Sequence, residues 1–184
     1  EITTRLVGSE MCIRDRDIQN IYNSIAELSR EIVRECTARS VKISTAESCT
    51  GGMISGAVTS VSGSSAVIEL GVCSYSNRIK HEILHVPAEV LKQFTEYSVE
   101  CAAEMAKGVM ELSGADYGVS TTGVAGPTGG SAEHPVGEVC IAVSGRNSCR
   151  SERFLFAQGS ADRELIRALA AEKALSMLLC EIKK

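Results

Sequence analysis

Hydrophobic positions recur along the chain at two spacings, which predicts alternating helices and strands. Apolar residues at steps of three and four predict helices from Ile18 onward, over about 99–114 and over about 162–182. Short apolar runs predict strands over 41–45, 72–75, 117–121, 139–143 and 153–156, the last two antiparallel around "SGRN". Shorter helices are predicted over 51–61, over 76–85 and from Pro87. This order predicts a single-domain α/β fold, a three-layer α/β/α sandwich with a mixed sheet.

The first sixteen residues follow neither spacing. Their stretch "LVGSEMCIRDR" resembles translated sequencing-adapter read-through. We therefore expect residues 1–16 to be a non-native, adapter-like or disordered leader. Residues 17–184 are expected to form the functional domain.

Composition and charge narrow the classes of partner. The chain of 184 residues is 44% hydrophobic and 23% charged, with a formal net charge of −4, which argues against a basic nucleic-acid surface. It has no apolar run long enough to span a bilayer and no signal peptide. The eight cysteines are scattered without a C-x-x-C pair, which is typical of a reducing compartment. We expect a cytoplasmic protein that binds neither nucleic acid nor membrane.

The stretch "ISTAESCTGG" at 43–52 is the first candidate for chemistry. A strand that turns into a helix through small polar residues leaves backbone N–H groups free to hold an oxyanion or a phosphate. Ser48 or Cys49 could then be a nucleophile. Alternatively, Ser48 or Thr50 caps the helix and the glycines ease the turn. This segment taken alone favours the cap.

A serine nucleophile needs a base, and "YSNRIK" at 75–80 offers one. Lys80 could lose its proton near neutral pH if it were buried in a cleft, and the Tyr75 hydroxyl could relay that proton. The alternatives are a solvated lysine on a helix face and a half-buried strand tyrosine. The loop "TTGVAGPTGG" at 121–130 is rich in glycine, so its N–H groups could approach an anion, although surface turns explain it equally well.

A competing motif is "HEILH" at 81–85, which matches the H-E-x-x-H pattern of zinc hydrolases. Glu82 would be the general base. The remaining histidine, His134, lies in the Gly-rich loop, which argues against the motif, although a carboxylate could be the third ligand. Pro87 follows closely and disfavours continuation of the helix through the second histidine. The alternative is an amphipathic helix with Ile83 and Leu84 packed inward.

Several motifs in order carry a family resemblance. From about Ile18 to the C-terminus, "TAESCTGG", "GSSA", "YSNRIK", "TGVAGPTGGSAEHPVGEV" and "FAQGSADRELIR" resemble the CinA C-terminal domain family, the nicotinamide-nucleotide amidohydrolases. The last motif carries extra residues before Arg163 relative to the family pattern. Full-length members also have an N-terminal nucleotide-processing domain that is absent here. A standalone amidase, or a fragment whose upstream part was replaced by the leader, is expected.

The resemblance implies hydrolysis of nicotinamide mononucleotide to nicotinate mononucleotide and ammonia, in pyridine-nucleotide salvage. It implies Ser48 as nucleophile with help from Tyr75 and Lys80, and homo-oligomerisation as a property of the family. The substrate would be held by the backbone of Cys49, Thr50 and Gly51, by Thr122, Gly123 and Gly126, and by Arg163 and Arg167 at the phosphate. No metal or other cofactor is required. A zinc hydrolase and a catalytically silent nucleotide-binding module are the two alternatives.

Overall fold

The computed structural model describes the backbone of residues 2–157 and 162–184 and the side chains of residues 18–157 and 162–184. Its helices are α1 (Ile2–Arg39), α2 (Met53–Thr59), α3 (Asn77–Glu82), α4 (Ala88–Phe94), α5 (Val99–Ser113) and α6 (Arg163–Ile182), with a 3-10 turn at Ser64–Ala66. Its strands are β1 (Ile43–Glu47), β2 (Ile68–Cys73), β3 (Tyr117–Gly123), β4 (Glu138–Gly145) and β5 (Ser148–Leu155).

The five strands form one mixed sheet in the order β2-β1-β3-β4-β5. The strands β2 and β3 both pair with β1 in parallel, whereas β3–β4 and β4–β5 are antiparallel. Because the carboxyl ends of β1, β2 and β3 reach the same edge, the residues that follow these strands come together. This edge carries the candidate site.

Helices cover both faces of the sheet, as the sequence predicts. One face packs Ile43, Val119 and Ile141 against α1, α2 and α6, and the other packs Ala46 and Ala142 against α5. The helix α5 lies very close to the sheet, since a Cβ on Gly118 would fall 2.0 Å from the Ala106 carbonyl oxygen. The three-layer sandwich is therefore confirmed.

Most predicted elements exist, with shifted ends. The strand β2, predicted over 72–75, lies nearer the N-terminus, at Ile68–Cys73. It is an edge strand whose residues alternate between half-buried and exposed, so it has no continuous apolar run. The helix α1 runs through the predicted leader. The leader assignment stays a prediction, because the side chains of residues 2–17 lie outside the described set.

Candidate active site

A cleft opens at the carboxyl edge of the parallel strands. The residues that line it come from the ends of β1, β2 and β3, from α3, from the α4–α5 connection and from α6: Ser48, Cys49, Tyr75, Asn77, Lys80, Glu96, Tyr97, Gly123, Ala125 and Arg163. Six residues predicted from the sequence as site residues are among them: Ser48, Cys49, Tyr75, Lys80, Gly123 and Arg163. The fold thus brings together motifs that lie far apart in the chain.

Ser48 and Lys80 form a buried contact inside this cleft. The Nζ of Lys80 lies 3.2 Å from the Oγ of Ser48 and donates to the carbonyl oxygen of Ser74 at 3.0 Å. Only 1% of Lys80 is exposed, which is rare for a lysine and overturns the solvated-face alternative. Burial lowers the pKa of the Lys80 amine, while the nearby Cys101, Glu96 and Cys49 oppose that effect. A lysine in this state can serve as a proton acceptor for the serine hydroxyl.

Local structure explains why Lys80 reaches Ser48. The helix α3 begins after Ser76, whose Oγ accepts the N–H of Ile79 at 3.3 Å as an N-cap. The preceding chain is fixed to β1 by a hydrogen bond from the Ser74 N–H to the Glu47 carbonyl oxygen at 2.8 Å. Lys80 therefore points from a short, capped helix back toward the end of β1.

The thiol of Cys49 has a different environment from the Ser48 hydroxyl. It packs in the main hydrophobic cluster of the sheet and is 5% exposed. Burial raises its pKa to about 12, so the thiolate that a cysteine nucleophile requires is not populated near neutral pH. Of the two neighbours, Ser48 is the one whose side chain contacts the Lys80 amine.

The turn after β1 is organised by Glu47, a residue that the sequence patterns did not single out. Its buried carboxylate accepts the N–H groups of Gly52, Ile54 and Ser55 at 2.9, 3.1 and 2.8 Å. It also accepts the hydroxyls of Thr50 at 2.8 Å and Ser55 at 2.6 Å. Glu47 thus holds the first turn of α2 and the turn that carries Ser48.

This contact corrects two expectations about the turn. Neither Ser48 nor Thr50 caps α2; the N-cap residue is Gly52, whose φ of 94° suits glycine. The N–H groups at the start of the helix are bound by Glu47 and are not free for a ligand. The N–H groups of the turn itself, between Cys49 and Gly51, are not among those that Glu47 binds.

The outer part of the cleft joins Tyr75 to Arg163. Arg163 donates to the Tyr75 hydroxyl at 3.2 Å and to the Gly126 carbonyl oxygen at 2.7 Å, which ties α6 to the Gly-rich loop. Tyr75 is 66% exposed, and among the described residues its hydroxyl has no hydrogen bond to Ser48 or Lys80. Arg167 lies behind the turn and donates to the carbonyl oxygens of Cys49 and Thr50 at 3.1 and 2.7 Å.

The remaining predicted residues contact protein groups around the cleft. The hydroxyl of Thr122 donates to the Glu96 carbonyl oxygen at 2.6 Å, and the hydroxyl of Thr50 also meets that of Thr121 at 2.7 Å. Gly123 permits close packing, since a Cβ there would lie 2.2 Å from the Glu138 carbonyl oxygen. Gly51 packs against the Arg167 guanidinium. Residues 158–161 of the last motif lie outside the described residues.

The "HEILH" geometry does not match a zinc site. The helix α3 ends at Glu82, and His85 lies beyond it with a φ of 55°, so the two histidines do not share a helix face. The Nδ1 of His81 bonds the Val86 carbonyl oxygen at 2.8 Å, and Glu82 pairs with Arg78. Leu84 is buried as expected, but Ile83 is 40% exposed.

Third-ligand candidates do not complete such a site either. His134 faces Glu138, with Nδ1 and Oε1 2.9 Å apart. Across the part of the chain that the structure describes, no three His, Cys, Asp or Glu side chains are grouped to hold a metal ion. Among the same residues, no helix is long and apolar enough to cross a membrane.

Sequence reasoning missed three residues that shape the cleft besides Glu47: Asn77, Glu96 and Tyr97. Asn77 opens α3 next to the recognised "YSNRIK" motif. Glu96 and Tyr97 lie in the connection between α4 and α5, which carries no spacing signal. Ser98, which caps α5 by accepting the Cys101 N–H at 3.0 Å, is the local signal that marks where this connection ends.

The fold and the cleft define an α/β/α sandwich with a serine–lysine pair at the carboxyl edge of its parallel strands. Comparison with known protein families identifies the family: residues 25–182 match the model of the CinA C-terminal domain. The chain belongs to that family. The family resemblance seen in the motifs is thereby confirmed.

Individual relatives agree with this assignment. A nicotinamide-nucleotide amidohydrolase PncC from Enterobacter agglomerans is 44% identical over 160 residues, covering 86% of this chain and 95% of that protein. A CinA-like protein from Geotalea daltonii is 46% identical over 140 residues, covering 76% of this chain but only 33% of that protein. The chain thus spans about a third of the length of this CinA-like relative.

A solved structure shows the same fold. The competence/damage inducible protein CihA from Agrobacterium tumefaciens superposes with a TM-score of 0.83 at 41% sequence identity. The match covers 88% of this chain and 96% of that one. The α/β sandwich described above is therefore the fold of this superfamily.

Proposed function

We propose that this chain hydrolyses the carboxamide of nicotinamide mononucleotide, giving nicotinate mononucleotide and ammonia in pyridine-nucleotide salvage. The observation that carries the proposal is the buried Lys80 amine 3.2 Å from the Ser48 hydroxyl in an open cleft. The similarity to a protein named nicotinamide-nucleotide amidohydrolase supplies the substrate class.

The reaction begins with proton transfer from Ser48 to neutral Lys80. The Ser48 Oγ attacks the carboxamide carbon, and the C=O electron pair moves onto oxygen to give a tetrahedral oxyanion. Collapse of this intermediate breaks the C–N bond, and the amine leaves as ammonia with the proton that Lys80 held. Water then attacks the acyl-enzyme while Lys80 takes a proton from it. Lys80 returns this proton to the Ser48 Oγ as nicotinate mononucleotide leaves. No cofactor enters this scheme.

The oxyanion would be held by N–H groups of the turn Cys49–Gly51. Within the described part of the chain, the N–H groups of Thr50 and Gly51 donate no hydrogen bond, whereas those of Gly52, Ile54 and Ser55 are bound by Glu47. Arg167 supports this placement because it binds the carbonyl oxygens on the other side of the same peptides. A fixed donor of this kind contributes about a hundred- to a thousandfold in rate.

The substrate phosphate would meet the outer part of the cleft. Arg163 lies there with Gly126 and the Tyr75 hydroxyl, on an exposed surface that a charged group can reach. Binding a phosphate would replace part of these contacts with charge-assisted hydrogen bonds. The Tyr75 hydroxyl, released from Arg163, could then approach the reacting groups, which is how its predicted role as proton relay would be realised.

A catalytically silent nucleotide-binding module is the second candidate. The same cleft could bind a nucleotide without reacting. The depressed pKa of Lys80 favours the enzyme, because a buried amine costs stability that mere binding does not require. The cytoplasmic location and the homo-oligomer stay predictions.

Ammonia release from nicotinamide mononucleotide tests the proposal. Wild type should release ammonia, Ser48→Ala and Lys80→Ala should lose almost all of the rate, and Cys49→Ala should keep most of it. Full activity of Ser48→Ala would overturn the nucleophile, and loss confined to Cys49→Ala would assign the thiol instead. Binding without any ammonia from wild type would favour the silent module.

A further inference from the structure

We propose that Glu96 is a specificity-determining residue that selects a positively charged pyridinium ring over a neutral ring of the same shape. The inference rests on the proposed function and deepens it, because the carboxamide of nicotinamide mononucleotide is attached to such a cationic ring. Neither the sequence motifs nor the serine–lysine scheme gives Glu96 a role.

Glu96 is held in the cleft wall by contacts to two strands. The Thr122 hydroxyl of β3 donates to its carbonyl oxygen at 2.6 Å, and the Cys140 thiol of β4 donates to the neighbouring Tyr97 carbonyl oxygen at 3.3 Å. The Tyr97 ring lies 5.3 Å from the ring of His134. These contacts fix the backbone from which the Glu96 side chain extends to the cleft.

The cleft has a negative group at one end and a positive group at the other, opposite in sign to the ring and the phosphate of the substrate. Among the described side chains that line it, Glu96 is the single carboxylate, and Arg163 is a fixed cation in the outer part. Glu96 is near enough to Lys80 for its charge to raise the pKa of that amine against the effect of burial. The negative group is therefore near the Ser48–Lys80 pair, where the carboxamide and its ring must lie, and the positive group lies where the phosphate would.

Aromatic rings strengthen the same preference. Tyr75 and Tyr97 line the cleft together with Glu96, and the face of a tyrosine ring attracts a cation. A carboxylate near these rings attracts a cationic ring electrostatically, whereas a neutral ring gains no such attraction. The Lys80 amine does not oppose this attraction when burial keeps it neutral.

A matched pair of ligands isolates the ring charge. Nicotinamide mononucleotide and its reduced form, the dihydropyridine mononucleotide, share the carboxamide, ribose and phosphate but differ in the charge of the ring. Dissociation constants for both would be measured by calorimetry on Ser48→Ala protein, which prevents turnover. The same measurements would follow on Ser48→Ala combined with Glu96→Gln and, as control, with Glu100→Gln, an exposed carboxylate on α5.

The expected result is a selective loss of affinity. Glu96→Gln should weaken binding of the cationic ligand about tenfold and change binding of the reduced ligand less than about twofold. Glu100→Gln should change neither. Equal weakening of both ligands, or no weakening of either, would overturn the proposal, and thermal denaturation of each variant shows whether it is folded.

A second readout separates this inference from the proposed function. In otherwise wild-type protein, Glu96→Gln should shift the rising limb of the pH–rate profile to lower pH, because removal of the negative charge lowers the pKa of Lys80 further. Wild type that binds the cationic ligand selectively but releases no ammonia would refute the amidase and leave the role of Glu96 intact. If wild type releases ammonia but Glu96→Gln leaves the ligand selectivity unchanged, the amidase stands and the role of Glu96 is refuted.

Discussion

The inner and outer walls of the cleft differ in how they hold their functional groups. On the inner wall, Ser48 and Lys80 are 8% and 1% exposed and are fixed by contacts to β1 and to the chain after β2. On the outer wall, Tyr75 and Arg163 are exposed and bind chiefly each other and the Gly-rich loop. Burial lowers the pKa of Lys80 on the inner wall, whereas the outer pair stays accessible from solvent.

The largest expected effect comes from the inner wall. Lys80→Ala should lower kcat about a hundred- to ten-thousandfold, because it removes the proposed base. Arg78→Ala, on the exposed face of the same helix, is the control and should leave kcat nearly unchanged. Steady-state ammonia release measures both, and a kcat for Lys80→Ala near that of wild type would remove the base from the mechanism.

Removal of the Glu47 carboxylate should have the next largest effect. Glu47→Ala leaves buried N–H and hydroxyl groups without their acceptor, so the free energy of unfolding should fall by about 3 kcal/mol. Activity should fall as well, since the same carboxylate holds the turn that carries Ser48. Urea denaturation of Glu47→Ala against Glu69→Ala, whose exposed pair with Lys42 should contribute under about 1 kcal/mol, checks this difference.

These two predictions show what sequence can and cannot reveal. Ser48 and Lys80 could be found because both belong to recognisable motifs that follow neighbouring parallel strands. The burial of Lys80 could not be found, since lysine is normally solvated and only tertiary packing encloses it. The role of Glu47 was hidden because it reaches its N–H partners across a turn from the end of a strand, which differs from the usual cap pattern.

Glu96 and β2 illustrate a further limit of sequence. Glu96 lies between two helices, and its nearness to Lys80 depends on how Thr122 of β3 fixes that connection. The predicted bounds of β2 differ from the observed ones because an edge strand whose residues alternate between half-buried and exposed carries a weak apolar pattern. The predicted range of β4 lies within the observed strand, because β4 is buried at every position and so has a continuous apolar run.

A moderate effect confined to substrate binding is expected on the outer wall. Arg163→Gln should raise KM for nicotinamide mononucleotide about tenfold with a smaller change in kcat, because it removes the proposed charged partner of the phosphate. Nicotinamide riboside lacks that phosphate, so its kcat/KM should be the same for wild type and Arg163→Gln. An equal loss for both substrates would show that Arg163 acts through the loop or Tyr75.

The smallest expected effect is on stability and follows from the pKa of Lys80. Because burial lowers that pKa below its ordinary 10.5, the unfolded chain binds more protons than the folded one between the two pKa values. The cost of burying Lys80 is therefore fully present below the folded pKa and disappears as pH rises toward 10.5.

Lys80→Met, which fills the same space without charge, should be more stable than wild type by about 1 kcal/mol at pH values below the folded pKa. Urea denaturation of both proteins at a series of pH values up to 10.5 measures how the difference shrinks as Lys80 loses its proton in the unfolded chain. A difference that does not depend on pH would mean that Lys80 titrates alike in both states, and the inner wall would then lose its distinction from the outer one.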